Sequence, residues 1–201
     1  MTIRPFEILF VCYGNISRSP SAEYLMRAAL NDSFLVSSAG VGAYRIVGHR
    51  IDPKMTPLLA AHNIDASSHA ARQLDCHLIA QADLILAMEE DHRSWIAEED
   101  PHATKRSFTL REFARLVQAI SDPKPKSVAA LVHQAATNRA IHPAASSSEN
   151  NIEDPYGGTQ QGYRIVFSQI DAAVKVIAAE LLQYQELRSD IDADPWTSFV
   201  L

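Results

Sequence analysis

Residues 6–20 of the chain read FEILFVCYGNISRSP. Six mostly apolar residues, Phe6 to Val11, lead directly into Cys12. Five residues then separate Cys12 from Arg18, after which a helical pattern of apolar residues begins. This order predicts a buried strand, a short turn and a helix, with a thiol where the strand ends and a guanidinium where the helix starts.

The turn between Cys12 and Arg18 has the composition of an oxyanion cradle. The first backbone N–H groups of a helix lack partners and carry partial positive charge, so they bind phosphate together with the amides of a preceding loop. Arg18 adds a planar fork that suits two phosphate oxygens, and the same positive field favours the thiolate of Cys12. Gly14 and Asn15 tolerate the positive φ that inward-pointing amides require. The predicted phosphate-binding and supporting residues are Tyr13, Gly14, Asn15, Ile16, Ser17 and Ser19.

A structural interpretation of Cys12 competes with the chemical one. A cysteine at a strand end is most often a small buried hydrophobe, and a lone Cys-x5-Arg spacing also arises by chance. Here a strand precedes the motif, a helix follows it, and Pro20 suits the first helical turn. These features together favour a thiolate nucleophile for phosphoryl transfer.

The stretch VCYGNISRSPSAE, residues 11–23, is similar to the active-site signature of the low-molecular-weight protein tyrosine phosphatases, V-C-x-G-N-x-C-R-S-P. The chain order supports this resemblance, because the loop lies near the N-terminus and an acid is available downstream. Ser17 departs from the family pattern. Many members carry a second cysteine at that position, which can form a protective disulfide with the nucleophile, and Ser17 removes this route.

The composition excludes several classes of function. A chain of 201 residues with 47% hydrophobic and 21% charged residues is ordinary for a globular protein, and we predict one domain spanning 1–201. A formal net charge of −6 without a dense Lys/Arg run argues against nucleic-acid binding. Two cysteines provide neither a disulfide framework nor a zinc cluster, and they suit a reducing cytoplasm. No apolar run reaches membrane-spanning length, and the N-terminus lacks the layout of a signal peptide.

Strands alternate with helical stretches along the chain. Apolar runs predict strands over 6–12, 34–40, 83–88 and 105–110, and helical periodicity covers 19–30, 55–62, 74–80, 91–99, 113–120 and 159–187. Such alternation is typical of βαβ units, so we predict a three-layer α/β fold, a parallel sheet with helices on both faces. The resemblance adds four strands in the order 2-1-3-4. Ligands of such sheets bind beyond the carboxyl ends of the strands.

The segment 121–151 differs in composition from the rest of the chain. It begins with prolines, contains a predicted helix over 127–140 and ends in a Ser/Asn-rich run that we expect to be flexible. Relative to the compact family members it resembles an insertion. Packing on the body of the domain is the expected role, and a lid over the cleft is the alternative.

A candidate general acid lies in EDPYGG, residues 153–158. Asp154 precedes a proline, which places it on an extended loop rather than in a helix. The same residues are an ordinary turn pattern, so the sequence by itself also fits a structural role for Asp154. The resemblance implies that Asp154 is the family's proton donor, with Glu153 as the fallback candidate.

Three aromatic residues are candidate walls of the substrate cleft: Tyr13, Tyr44 and Tyr156. A deep aromatic slot favours phosphotyrosine, because the shorter phosphoserine cannot reach a buried thiolate. Each tyrosine could instead be an ordinary surface ring. The eight histidines show no metal-ligand spacing, so no metal or cofactor is predicted. Cys76, at the start of an apolar helical stretch, is predicted to lie in the core.

The sequence therefore predicts a phosphotyrosine-protein phosphatase with Cys12 as nucleophile, Arg18 as phosphate ligand and Asp154 as acid and base. A thioredoxin-coupled arsenate reductase is an alternative, but that chemistry relays through two further cysteines and only Cys76 remains. A sulfurtransferase would not need the acid, and a non-catalytic phosphopeptide or oxyanion binder would need neither thiol nor acid. The SAGVGA stretch resembles bacterial members, which implies a phosphotyrosine protein such as a bacterial tyrosine kinase as partner.

Overall fold

The chain forms a four-stranded parallel sheet in the order β2-β1-β3-β4. In the computed structural model, which describes residues 4–121, 124–144 and 146–192, all three strand pairs are parallel. The strands are β1 (Phe6–Cys12), β2 (Phe34–Gly40), β3 (Leu84–Ala87) and β4 (Ser107–Thr109). The predicted sheet and its strand order are confirmed.

Helices cover both faces of the sheet. They are α1 (Arg18–Ala29), α2 (Thr56–Ala60), α3 (Cys76–Gln81), α4 (Glu90–Glu99), α5 (Leu110–Gln118), α6 (Val128–Asn138), α7 (Ser147–Asn150) and α8 (Gln160–Asp192). Side chains of β1 alternate between two hydrophobic clusters, because successive residues of a strand point to opposite faces. Ile8 and Phe10 join the cluster that contains α1, α5 and α8, whereas Leu9 and Val11 join the one that contains α3 and α4. The three-layer α/β architecture follows directly.

The strand register brings the functional stretches to one edge of the sheet. Cys12, the last residue of β1, pairs with Gly40, the last residue of β2. On the other side Val11 pairs with Ala87, the last residue of β3. The turn after Cys12, the loop after Gly40 and the segment after Ala87 therefore leave the sheet together, as expected for a parallel α/β site.

Two helices differ from the sequence prediction at their starts. Helix α5 begins at Leu110 rather than 113, because Thr109 and Glu112 form a reciprocal capping box in which each side chain accepts the other's backbone N–H. The prediction for Cys76 is wrong. Cys76 is exposed at the first position of α3, and Ile79 is the residue that this short helix buries.

The segment after α5 packs on the body of the domain. Helix α6 buries Leu131, Val132 and Ala135 in the same core cluster as α5 and α8. Helix α7 forms where the Ser/Asn-rich run was expected to be flexible. That residues 121–151 are an insertion in one domain spanning 1–201 stays a prediction. Across the described part of the chain, no helix has the length and apolar character needed to span a bilayer.

Candidate active site

A cavity of about 380 Å³ opens at the carboxyl edge of the sheet. Its lining residues are Cys12, Tyr13, Gly14, Ile16, Ser17, Arg18, Gly42, Tyr44, Arg45, Ile46, His49, Asp154 and Tyr156. Nucleophile candidate, guanidinium, acid candidate and all three tyrosines thus meet in one cavity. Asn15 and Ser19 do not line it, and neither does Glu153, the fallback acid, whose side chain is exposed.

Cys12 lies at the floor of the cavity with 2% of its surface exposed. Its Sγ lies 2.9 Å from Oγ of Ser19 and accepts a hydrogen bond from the backbone N–H of Asn15 at 3.3 Å. The N–H of Asn15 is thus directed at sulfur, whereas in the pair with Ser19 either atom can be the donor. The surroundings of Cys12 are polar, unlike those of a cysteine that only fills the core.

Asn15 fixes the shape of the turn that follows Cys12. Its φ of 54° lies in the left-handed region, which asparagine tolerates better than most residues. The Asn15 side chain donates to Oγ of Ser19 at 3.0 Å and to Oγ of Ser38 at 2.7 Å. It also accepts from the backbone N–H of Arg72 at 2.9 Å, and Nε2 of His69 lies 2.8 Å from the Asn15 carbonyl. Asn15 and Ser19 support the turn from beneath the cavity.

Two glycines of the neighbouring loop allow the turn to approach closely. A Cβ on Gly40 would lie 2.4 Å from the backbone oxygen of Tyr13 and 2.9 Å from the backbone N of Asn15. A Cβ on Gly42 would lie 2.6 Å from the ring of Tyr13. The contacts at Gly40 are with backbone, so this position requires glycine, whereas a side chain at Gly42 would displace the exposed ring of Tyr13.

Arg18, the first residue of α1, is 1% exposed and has three acceptors around it. Its Nη1 donates to the carbonyl of Ile152 at 2.8 Å and lies 3.1 Å from Oε2 of Glu89. Its Nη2 lies 2.9 Å from Oδ2 of Asp154. A buried guanidinium needs paired acceptors, and these hold its planar fork towards the cavity.

The loop that carries Asp154 is fixed at both ends. Before it, the backbone N–H of Ile152 donates to the carbonyl of Met88 at 2.8 Å. After it, Nζ of Lys54 donates to the carbonyl of Gly158 at 2.6 Å. Within the loop, Oδ1 of Asp154 accepts from the backbone N–H of Tyr156 at 3.2 Å, an Asx turn that orients the carboxyl group.

The rim of the cavity is aromatic and partly cationic. Tyr13, Tyr44 and Tyr156 are all highly exposed, as expected for rings whose faces a bound ligand would cover. The guanidinium of Arg45 lies over the ring of Tyr44, 5.5 Å from its centroid. Ile46 and His49 complete this wall. The contributions of Arg45, Ile46 and His49 were not predicted from the sequence.

Two further groups near Arg18, the half-buried Glu89 and the buried His92, were not predicted from the sequence. Glu89 contacts Arg18, and Nε2 of His92 lies 3.4 Å from the same Oε2 of Glu89. Burial and the positive charge of Arg18 lower the pKa of His92 to about 4, so the ring is neutral at physiological pH. Both residues belong to MEEDH, residues 88–92, which directly follows β3. Polar residues at the carboxyl edge of a parallel sheet are candidates for a site, and this position could have identified them.

A second missed pair ties the cavity to α8. The hydroxyl of Tyr163 donates to Oδ2 of Asp52 at 2.6 Å, and burial together with Asp52 raises the pKa of Tyr163. The backbone N–H of Asp52 in turn donates to the carbonyl of Ile16 at 2.7 Å. The phosphate-binding turn is therefore braced from the side as well as from beneath.

Comparison with known proteins gives consistent matches. The family model described as low molecular weight phosphotyrosine protein phosphatase matches residues 7–142. A probable low molecular weight protein-tyrosine-phosphatase, EpsP of Ralstonia nicotianae, is 41% identical over 123 residues, which cover 61% of this chain and 81% of that protein.

Solved structures share the fold over most of the chain. The YwlE arginine phosphatase of Geobacillus stearothermophilus has a TM-score of 0.67 at 27% identity and covers 90% of this chain and 96% of its own. The tyrosine phosphatase Wzb of Escherichia coli K30, in complex with sulphate, has a TM-score of 0.64 at 26% identity and covers 87% and 97%. The chain belongs to the low molecular weight phosphotyrosine protein phosphatase family.

Proposed function

We propose that this phosphatase hydrolyses phosphotyrosine in two steps, with Cys12 as nucleophile, Arg18 and the backbone amides of residues 13–18 as phosphate ligands, and Asp154 as proton donor and acceptor. One observation carries the proposal. A buried sulfur that accepts from the N–H of Asn15 and contacts Oγ of Ser19 lies in the same cavity as a guanidinium that contacts a carboxylate. The three groups together match the needs of phosphoryl transfer from an aryl ester.

In the first step the Sγ–P bond forms and the bond between phosphorus and the phenolic oxygen breaks. The electron pair of the broken bond stays on the phenolic oxygen, which takes a proton from Asp154. Arg18 and the amides stabilise the charge on the three equatorial oxygens. The leaving tyrosine departs as a neutral phenol.

In the second step water attacks phosphorus and the S–P bond breaks. Asp154, now ionised, accepts the proton of the water, and sulfur leaves as a thiolate stabilised by Ser19 and by the N–H of Asn15. The products are inorganic phosphate and the original enzyme. The same carboxyl group therefore acts as acid and then as base.

The contact between Asp154 and Arg18 suggests how the proton donor is prepared. In this structure Nη2 of Arg18 lies 2.9 Å from Oδ2 of Asp154. A bound phosphate dianion would take this nitrogen as a ligand and so release the Asp154 carboxyl group from Arg18. The released carboxyl group can then reach the leaving oxygen.

The rim supports an aryl substrate. Tyr13, Tyr44 and Tyr156 provide ring faces around a thiolate at the cavity floor, which a short phosphoserine side chain cannot reach. The similarity to bacterial relatives favours a phosphorylated bacterial tyrosine kinase as the physiological partner. Phosphoproteomes of cells with and without the gene test this partner, and unchanged phosphotyrosine on every tyrosine kinase would contradict it.

Hydrolysis of 4-nitrophenyl phosphate tests the proposed function. We expect vanadate-inhibited turnover that Cys12→Ser abolishes, with a phosphocysteine trapped by acid quench in the parent protein. Cys76→Ser is the matched control, since Cys76 is exposed and lies outside the cavity. Phosphate binding without turnover would instead indicate an oxyanion receptor. Arsenate reduction that requires Cys76 would indicate the reductase.

Phosphoarginine is a second candidate substrate, because the YwlE arginine phosphatase shares the fold at a TM-score of 0.67. A guanidinium leaving group favours an acidic wall. Here the cavity carries a single carboxylate, Asp154, which is engaged by Arg18, while Arg45 is cationic and Ile16 and Ile46 are apolar. We therefore expect peptides with phosphotyrosine to be hydrolysed with higher kcat/KM than matched peptides with phosphoarginine. The opposite order would favour the arginine phosphatase.

A further inference from the structure

The stretch 147–152, here called the strap, leads directly into the acid loop. Side chains from two other helices hold it in place. It comprises helix α7 and the two residues after it. The Arg111 guanidinium donates to the carbonyl of Ser148 at 2.8 Å and to that of Asn151 at 3.1 Å. Since Asp154 follows two residues after the strap, the position of the strap determines where the acid loop begins.

Glu90, the first residue of α4, is the main side-chain anchor of the strap. Its Oε1 accepts from Nδ2 of Asn150 at 2.8 Å, and its Oε2 accepts from Oγ of Ser147 at 2.7 Å. The side chain of Asn150 is 7% exposed, so this bond is sheltered from water. The two hydrogen bonds lower the pKa of Glu90, which keeps the anchor ionised.

The backbone at Glu90 adds a second connection. The N–H of Glu90 donates to Oδ1 of Asn151 at 2.9 Å, which caps the free amino end of α4. The next residue of the strap, Ile152, accepts from Arg18. Glu90 therefore links α4 to the stretch that both orients Arg18 and starts the acid loop.

The neighbouring glutamates Glu89 and Glu90 thus serve two different parts of the site. Glu89 contacts the guanidinium of Arg18, whereas the side-chain hydrogen bonds that Glu90 makes among the described residues go to the strap, with the charge of Arg93 also acting on it. Removal of the Glu90 carboxylate leaves the Glu89 contact in place, and Ile152, the acceptor of Arg18, keeps its own bond to the carbonyl of Met88. The removal should instead change the distance and the angle between the Asp154 carboxyl group and the leaving oxygen.

We propose that Glu90 is a positioning residue for proton transfer, which acts through the strap on Asp154. The proposal rests on the proposed role of Asp154 as general acid. A misplaced acid loses efficiency most where the leaving group needs its proton most. Glu90 should therefore affect poor leaving groups selectively and phosphate affinity very little.

The test compares kcat/KM for 4-nitrophenyl phosphate, a good leaving group, with that for phenyl phosphate, a poor one. Glu90→Ala is expected to lower the phenyl phosphate value roughly tenfold and the 4-nitrophenyl phosphate value less than about threefold. Glu90→Gln, which can still accept from Asn150, should restore most of the difference. The inhibition constant of inorganic phosphate should stay within about twofold, since Ile152, the acceptor of Arg18, keeps its own bond to Met88.

Asp91→Ala is the matched control. Asp91 is the next residue of α4, carries the same charge and is exposed, and no hydrogen bond or ion pair involves it among the described residues. Both substrates should be hydrolysed by this variant as by the parent protein. Circular dichroism and thermal melts establish that each variant is folded at the assay temperature. If Glu90→Ala does not fold, Asn150→Ala removes the same buried bond from the side of the strap.

A double variant that carries both Asp154→Ala and Glu90→Ala distinguishes the proposed role of Glu90 from the proposed role of Asp154. If Asp154 is the acid and Glu90 positions it, adding Glu90→Ala to Asp154→Ala causes no further selective loss on phenyl phosphate. Equal losses on both substrates, a raised inhibition constant for phosphate, or an additive selective loss in the double variant would overturn the role of Glu90. Asp154→Ala without selective loss would overturn the role of Asp154 itself.

Discussion

Oδ2 of Asp154 lies 2.9 Å from Nη2 of Arg18. One partner of this pair is 1% exposed and the other 42%, so the charge of a buried guanidinium is balanced by a carboxylate on a solvent-exposed loop. The resting site thus places its acid candidate on the group that a phosphate would occupy. In the proposed mechanism, substrate binding and proton donation would both depend on this nitrogen.

Asp154→Ala is expected to separate catalysis from phosphate binding. For phenyl phosphate kcat/KM should fall about 10²–10³-fold, because the leaving phenolate loses its proton source. The inhibition constant of inorganic phosphate should fall rather than rise, since Nη2 of Arg18 is released from its carboxylate partner. Steady-state kinetics with phosphate as competitive inhibitor measures both values.

The matched control is Glu153→Ala, at an exposed position outside the cavity. It should leave both constants within about twofold of the parent protein, as surface changes usually do. A leaving-group-selective loss in Glu153→Ala but not in Asp154→Ala would reverse the assignment of the acid.

Gly40→Ala is expected to disturb the phosphate-binding turn. The added Cβ would lie 2.4 Å from the Tyr13 carbonyl, and two backbones must separate to admit it. We expect a loss of about 1–3 kcal/mol in the free energy of unfolding together with weaker vanadate inhibition. Denaturant titration and inhibition kinetics give the two values.

Gly162→Ala provides the contrast, since its Cβ would meet only Oγ1 of Thr159 at 3.8 Å. In the first turn of α8 it should raise the free energy of unfolding by up to about 1 kcal/mol. If both alanine variants lower stability equally, crowding at Gly40 is not the cause.

His92 should make the stability of the protein depend on pH in the mildly acidic range. Its pKa is lowered from 6.5 to about 4 by burial and by Arg18, so the unfolded chain binds the proton more readily than the native one. Stability is therefore lost as pH falls from 6.5 towards 4, by at most roughly 3 kcal/mol. Urea unfolding at several pH values measures this slope.

His92→Gln should reduce that slope, because it removes the group that titrates. His133→Gln, at an exposed position of α6, serves as control and should keep the slope of the parent protein. Parallel profiles for the parent protein and His92→Gln would show that the acid sensitivity arises elsewhere.

Ser17→Cys is expected to give the enzyme a reversible response to peroxide. Ser17 is buried, and its hydroxyl has no hydrogen-bond partner among the residues that the structure describes, so a thiol can replace it without losing a bond. After brief oxidation, dithiothreitol should restore more activity to Ser17→Cys than to the parent protein, which oxidises further at Cys12. Mass spectrometry should find a disulfide between positions 12 and 17.

Cys76→Ser should match the parent protein in this assay, since Cys76 is exposed at the start of α3. Equal recovery of the parent protein and Ser17→Cys would show that a neighbouring thiol gives no protection. Loss of recovery in Cys76→Ser would show that the exposed cysteine already serves that purpose.

The parallel sheet and the placement of Cys12 and Arg18 at the two ends of one turn could be predicted because the signals are local, whereas the strand order came from the family resemblance. Apolar runs mark the strands, and the spacing in residues 12–18 sets the turn. Asp154 could be proposed only through family resemblance, since an Asp-Pro turn is common. Its contact with Arg18 depends on the path by which the chain returns to the site, as does the bond from Arg18 to Ile152, whose sequence separation is 134.

Other features could not be derived from local pattern. Helix α7 has a poor helical composition, and contacts with Glu90 and Arg111 hold the stretch around it, so tertiary structure overrides propensity there. Cys76 was misplaced because the short helix α3 buries a single residue, Ile79, and periodicity over six residues cannot identify its inward face. The roles of Glu89 and His92 depend on where Arg18 lies in the folded chain, which local sequence does not give.

The bond between Arg18 and the carbonyl of Ile152 also bears on synthesis of the protein. On the ribosome the cysteine turn emerges early, whereas Ile152 follows Arg18 by 134 residues. A nascent chain can shape the anion cradle, yet its guanidinium lacks the late acceptor that orients it. A product that terminates before Ile152 should therefore lack phosphatase activity even where the cysteine turn has formed.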